Sequence, residues 1–162
     1  MCGIIGIASN KPVSMNIINS LKRLEYRGYD SAGLATLNNN IINEKKCSGR
    51  VEQLEKILFK TPAEGNLGIG HVRWATHGVP SQLNAHPHSS EIVSVVHNGI
   101  IENSNNLKID LEKKGHKFKS QTDTEVITLL ITEALKNTEP LTAVFETIKK
   151  LKGSFALGII FR

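Results

Sequence analysis

Cysteine is scarce in this chain, with Cys2 and Cys47 the two among 162 residues. One bridge at most is available, so no disulfide framework exists, and no CxxC or Cys/His spacing of a zinc site appears. Aromatic residues make up 5% of the sequence, too few for a platform on which nucleic-acid bases could stack. Long hydrophobic runs are missing as well; none approaches the ~20 residues that span a bilayer. The opening apolar run lacks a basic segment before it and turns polar at Ser9-Asn10-Lys11, which makes a poor signal peptide. Nor is there a dense block of one charge. The net +5 is spread over pairs such as Lys45–Lys46, Lys113–Lys114 and Lys149–Lys150, the pattern of solvated faces. Repeats, linkers and low-complexity stretches are absent. Together these absences point to a cytoplasmic chain with no membrane and no nucleic-acid partner.

What is present suits one globular domain with a real core: 40% hydrophobic and 22% charged residues over a length that can bury them. Residues 3–8 read as a short buried strand. Ser14 can cap a helix running to about Tyr26, with Ile17, Ile18, Leu21 and Leu24 on one face. Strands over 32–37 and 41–46 flank Asn38-Asn39-Asn40, a hairpin turn. Val51, Leu54, Ile57 and Leu58 mark a second amphipathic helix. Strand-like 67–74 leads into a long polar loop, 75–91, of a length that loops reach when they carry function or lack order. A strand over 92–97 precedes a turn at Asn98-Gly99. A helix near 104–114 stops at Gly115. Thr122-Asp123-Thr124-Glu125 reads as a capping box opening the helix 123–136. A Pro140-led helix reaches about Lys152, and 154–161 is a last strand. Strands apolar on both faces, with helices in two groups, imply sheets covered by helices in an α/β or α+β layered architecture.

The chemistry starts at position 2. A small residue there permits removal of Met1, which would leave Cys2 with a thiol and a free α-amine on one residue. An α-amine titrates near ~7.7–8.0 and can act as general base for its own side chain. Cys2 can equally be one more small hydrophobe at a strand end. Four more stretches stand out: EYRGYDSAG (25–33), HVRWATHG (71–78), HNGIIEN (97–103) and TDTE (122–125). Any one of them is commonplace, whereas five in this order and spacing are specific.

With MCGIIGI, these stretches resemble the glutamine amidotransferase domain of the N-terminal-nucleophile class, and within it the glucosamine-6-phosphate synthase family. The likeness runs from Cys2 to the strand at Gly153-Ser154-Phe155. It implies an α+β fold, the four-layer αββα sandwich of N-terminal-nucleophile hydrolases, incomplete at the C-terminus. It also implies that Cys2 attacks the side-chain amide of L-glutamine to give a thioester and ammonia, with its own amine shuttling the proton. Asn98 and Gly99 would supply the oxyanion donors, a side-chain amide and a backbone N–H; on its own an Asn-Gly pair is a plain turn. Arg73 would take the glutamine carboxylate through its fork, against the reading of a surface arginine at a strand end. Asp123 would take the ammonium, a role compatible with a carboxylate at a helix N-terminus. Thr76 and His77 complete the pocket, with Trp74 as a gating aromatic or a core residue. Arg27 supports the nucleophile region or makes a surface salt bridge. No cofactor is implied. The six histidines, chiefly His86-Pro87-His88, lack a convincing third metal ligand, and the family carries NAHPH without a metal.

Relatives of the same catalytic class include the purine-pathway phosphoribosyl amidotransferase, which reads QHRGQESAG and HVRYST where this chain reads EYRGYDSAG and HVRWATHG. A binding module without turnover is the rival of another kind. The family's domain continues for several strands and then two sugar-phosphate isomerase domains, so 1–162 is expected to be a partial glutaminase domain. Fructose 6-phosphate would be met only through those missing domains or a separate chain, and a homo-oligomer is allowed in the full enzyme. The strand SFALGIIF would keep apolar faces that further strands cover, which lowers the expected stability of the isolated chain.

Overall fold

In the computed structural model, which describes residues 2–75 and 78–162, a period-two alternation in β4 (Leu67–Arg73) organises half of the molecule. Gly68, Gly70 and Val72 face one way, towards α1 (Ser14–Leu24), whose Ile17 would collide with a Cβ at either glycine. The missing side chains let the helix lie directly on the strand. Ile69, His71 and Arg73 face the other way, into the middle of the protein.

β4 pairs antiparallel with β1 (Gly3–Ala8) and β2 (Ser31–Asn38), and β2 pairs with β3 (Ile41–Ser48), giving the order β1-β4-β2-β3. Asn39 and Asn40 both take positive φ, as a two-residue hairpin turn requires. α1 and α2 (Val51–Lys60) cover the outer face with Val13, Ile17, Ile18, Leu21, Val51 and Leu54. A second antiparallel sheet has the order β5-β6-β7, from His88–Ser89, Val93–Ile101 and Gly153–Phe161. Its outer face packs Val93 and Val95 on α4 (Asp123–Ala134), flanked by α3 (Ser104–Lys113) and α5 (Pro140–Ile148). Ala35, Ile69, Val96 and Ile160 fill the layer between the sheets, with Ile4 and Leu37 against them. The result is a helix–sheet–sheet–helix sandwich, the four layers expected.

Several local expectations need correction. Asn98-Gly99 is not a turn: β6 runs straight through it to Ile101, paired with β7 throughout. Ser14 sits inside α1 and donates its hydroxyl to the Ala63 carbonyl at 2.6 Å, so it caps nothing. The capping box at 122–125 is also absent. Glu125 turns back and accepts from the Lys119 and Ser120 amides and the Ser120 hydroxyl, pinning the segment ahead of the helix. Gly115, at φ +89°, closes α3 as predicted, and its N–H donates to the Glu112 carbonyl.

Candidate functional site

Cys2 lies immediately before β1, against the segment that leaves β4. The Trp74 N–H donates to Cys2 Sγ at 3.3 Å, and the thiol faces the Trp74 carbonyl at 3.5 Å. The EYRGYD segment fixes this arrangement. Arg27 Nε donates to the Cys2 carbonyl at 3.0 Å, so the arginine braces the backbone of Cys2. Gly28 packs so closely on the Arg73–Trp74 peptide that a Cβ would come within 2.6–2.8 Å of backbone atoms. The Asp30 N–H donates to the Arg73 carbonyl, and Asp30 Oδ2 accepts from the Ala75 N–H at 2.7 Å. Sequence reasoning passed over Asp30, although a carboxylate inside a glycine-flanked turn was the available signal.

Cys2, Arg27, Trp74, Asn98, Gly99, Ile100, Glu102 and Ser154 line one cleft of about 570 Å³. Trp74 forms part of its wall and is 44% exposed, with an edge-on contact to Tyr29, so it is not a core residue. Gly99 has φ +129°, and a Cβ there would meet the Ser154 carbonyl at 2.1 Å, so only glycine fits. Glu102, inside the HNGIIEN stretch, and Ser154 are cleft residues to which sequence reasoning assigned no role. A second hollow of about 620 Å³, beside Lys46, Ser89 and Lys119, contains none of the predicted site residues.

Arg73 is buried beneath the cleft, with Nη2 directed at the Gly78 carbonyl at 3.4 Å. Burial pushes its pKa down, while the charges of Cys2, Asp30 and Asp123 hold it up. That disposes of the surface reading of Arg73. Asp123 is buried as well: Oδ2 accepts from the Ile101 N–H at 2.8 Å, and Oδ1 lies 3.7 Å from His97 Nδ1. It therefore holds the end of β6 in addition to starting α4. Asp123 does not line the cleft with Cys2; the charges of both act on Arg73. Met1, Thr76 and His77 lie outside the described residues.

Behind Asn98 is a buried polar layer that the sequence did not single out as a unit. His71, His86, His88, His97 and Thr124 are all at most 5% exposed. His71 is driven down to about 3 by burial, and His86 and His88 fall well below the ordinary histidine range for the same first reason. All three are neutral at physiological pH. Among the described residues no group of three or more His, Cys, Asp or Glu side chains could hold a metal ion. Cys47 is buried with its thiol pKa raised by desolvation, which leaves it inert beside the half-exposed Cys2.

This sandwich, with a cysteine at the head of its first strand and Asn98-Gly99 of the opposing sheet in the same cleft, has the layout of the N-terminal-nucleophile amidotransferase fold. Residues 71–162 match the family model described as a glutamine amidotransferase domain, and the chain belongs to that family. Among particular proteins, it is 54% identical to the glutamine–fructose-6-phosphate aminotransferase (isomerizing) of Clostridium acetobutylicum and 51% identical to that of Bradyrhizobium diazoefficiens. Each likeness covers 99% of this chain but only 26% and 27% of the relative, so the chain spans about a quarter of their length. The glutamine phosphoribosylpyrophosphate amidotransferase of B. subtilis superposes with a TM-score of 0.86 at 25% identity, over 99% of this chain and 35% of that one. A glutamine aminotransferase class-II domain protein from Silicibacter pomeroyi shares the fold alone, with a TM-score of 0.68 at 14% identity over 99% of this chain and 72% of that one. The purine enzyme thus stands as a relative in fold, at about half the identity of the aminotransferases. Among the described residues no helix is long and apolar enough to cross a membrane.

Proposed function

We propose that this domain hydrolyses L-glutamine through Cys2 and delivers the ammonia for converting fructose 6-phosphate to glucosamine 6-phosphate. One observation carries the reading: Cys2 Sγ and the Asn98-Gly99 pair line the same cleft, with the Asn98 carbonyl oxygen turned inward to His71. The thiol gives its proton to the α-amine, and sulfur attacks the glutamine side-chain carbon. The oxyanion that forms is met by the Asn98 amide and the Gly99 N–H. Such donors are worth roughly 10²–10³ in kcat. The C–N bond then breaks, nitrogen leaves with the shuttled proton as ammonia, and water cleaves the thioester to glutamate.

Arg73 grips the substrate carboxylate and Asp123 its ammonium, with Thr76, His77 and Trp74 closing the pocket and Arg27 steadying the nucleophile's backbone. Residues 1–162 act as the partial glutaminase domain of an amino-sugar and cell-wall precursor enzyme in the cytoplasm. Sugar chemistry falls to isomerase domains, and oligomerisation belongs to the whole enzyme. Identity near 50% to aminotransferases bearing that name supports the sugar acceptor over a purine one. The test is glutamate release from glutamine by the protein and by its Cys2→Ala variant. An electrophilic glutamine analogue should label Cys2 and leave Cys47 untouched. Labelling at Cys47 alone, or full activity in Cys2→Ala, defeats the proposal.

A further inference from the structure

Asn98 can assist an oxyanion only if its NH₂, and not its carbonyl oxygen, faces the cleft. What sets that orientation lies behind it. His71 Nε2 is 3.1 Å from the His97 backbone carbonyl and 3.0 Å from Asn98 Oδ1. A backbone carbonyl only accepts, so His71 Nε2 must carry hydrogen. A ring N–H only donates, so the atom of Asn98 that meets it must be oxygen. Were the amide reversed, two donors would face each other inside the protein, and a carbonyl dipole would repel the developing oxyanion.

The same logic runs back through the layer. His71 is neutral because it is desolvated beside three other histidines and Arg73, so its Nδ1 is a lone pair. His86 Nδ1, at 3.2 Å from it, must then donate. A neutral His86 has an accepting Nε2, which takes the Thr124 hydroxyl hydrogen. The Thr124 oxygen is left to accept, and His97 Nδ1 at 3.0 Å donates to it. Every hydrogen has one permitted place.

We infer that Thr124, His86 and His71 form a positioning relay that fixes the Asn98 amide with its NH₂ towards the cleft, so that the direction of one buried hydrogen-bond chain determines the polarity of the oxyanion site. The inference deepens the proposed glutaminase reading and rests on it. Thr124, on the first turn of α4, is the switch in the chain: its hydroxyl is the donor that keeps His86 in the Nδ1–H form. Without that donor His86 can carry its hydrogen on Nε2. Its Nδ1 then presents a second lone pair to His71, and the hold on Asn98 is lost. The carbonyl of His97 also belongs to the residue immediately before Asn98, so the relay fixes the strand backbone and the side chain together.

Two measurements test this. In ¹⁵N-histidine-labelled protein at neutral pH, long-range ¹H–¹⁵N spectra should show His71 as the Nε2–H tautomer and His86 and His97 as Nδ1–H. His71 in the Nδ1–H form, or His86 in the Nε2–H form, overturns the relay whatever the protein catalyses. In steady-state glutamine hydrolysis, Thr124→Val should lower kcat at least about tenfold with KM within about twofold, and Thr124→Ser should restore it. An unchanged kcat in Thr124→Val overturns the relay; so does a change confined to KM, or a Thr124→Ser variant as impaired as Thr124→Val. Should the unmodified protein release no glutamate, the glutaminase reading fails, and the tautomers still decide the relay.

Discussion

Mild acid should destabilise this protein through its buried histidines. His71, His86 and His88 are neutral in the fold and held below the ordinary histidine pKa, His71 at about 3, by removal from water. In the unfolded chain each titrates near ~6.5. The unfolded state therefore binds more protons below that pH, and stability present above it is lost as pH falls towards the native values. Between pH 7 and 5.5 each histidine contributes a loss of about 1.2 kcal/mol, or about 4 kcal/mol for the three together. That is a large fraction of the roughly 5–15 kcal/mol by which a domain is stable. With a slope of about 2 kcal/mol per molar urea, the unfolding midpoint should fall by about 2 M over this interval. Two carboxylates are held out of this window: Glu133 at about 2, first by its hydrogen bond to Lys136, and Glu52, lowered by Lys56. Urea titrations followed by far-UV circular dichroism at several pH values provide the assay. A midpoint unchanged from pH 7 to 5.5 would refute the reasoning, since it would mean that these rings take up protons in the native state.

Other perturbations give separable outcomes. Arg73→Met and Asp123→Asn should each raise the glutamine dissociation constant about 10- to 150-fold, the worth of a charge-assisted contact of about 1.5–3 kcal/mol, as isothermal titration of a Cys2→Ala background would show. Asp123→Ala should in addition lower thermal stability, because the Ile101 N–H loses its acceptor; equal melting temperatures for Asn and Ala would contradict this. Gly28→Ala forces a methyl onto the Arg73–Trp74 peptide and should cost about 1–3 kcal/mol together with most of the Cys2 labelling rate. Normal labelling in a folded Gly28→Ala protein would show that the close approach is unimportant to the thiol.

Periodicity and turn chemistry disclosed sheets covered by helices in advance, because strands carry apolar residues on both faces and covering helices an apolar stripe. The four-layer order, by contrast, was implied by the family resemblance. Where local signals misled, a partner other than the local one had captured the residue. Ser14 and Glu125 had the right chemistry for caps, yet Ala63 and the 119–120 backbone took their side chains. Asn98-Gly99 had turn composition, but pairing with β7 drew it into a strand, and its glycine is needed for the approach to Ser154. The candidate site was legible as motifs, with Cys2, Arg27, Trp74, Asn98 and Gly99 brought to one cleft. The histidine layer was not, since its members are spaced over 71–97 with no common period, and His86 meets His97 through Thr124 on another element. A histidine count invited a metal; burial keeps His71, His86 and His88 as neutral rings.

The cleft is assembled from the two extremes of the chain and its middle: Cys2 meets Trp74 across 72 residues, and Ser154 arrives from the last strand. Such long-range closures come late in folding, since the entropy of the loops is lost before the contacts compensate. During synthesis Cys2 therefore lacks its cleft until β4, β6 and β7 have each docked. Its selective reaction with a glutamine analogue should then lag behind the appearance of helix and sheet in a refolding experiment. The thiol proposed as nucleophile would then serve as a reporter of cleft assembly, reactive only once β7 has docked.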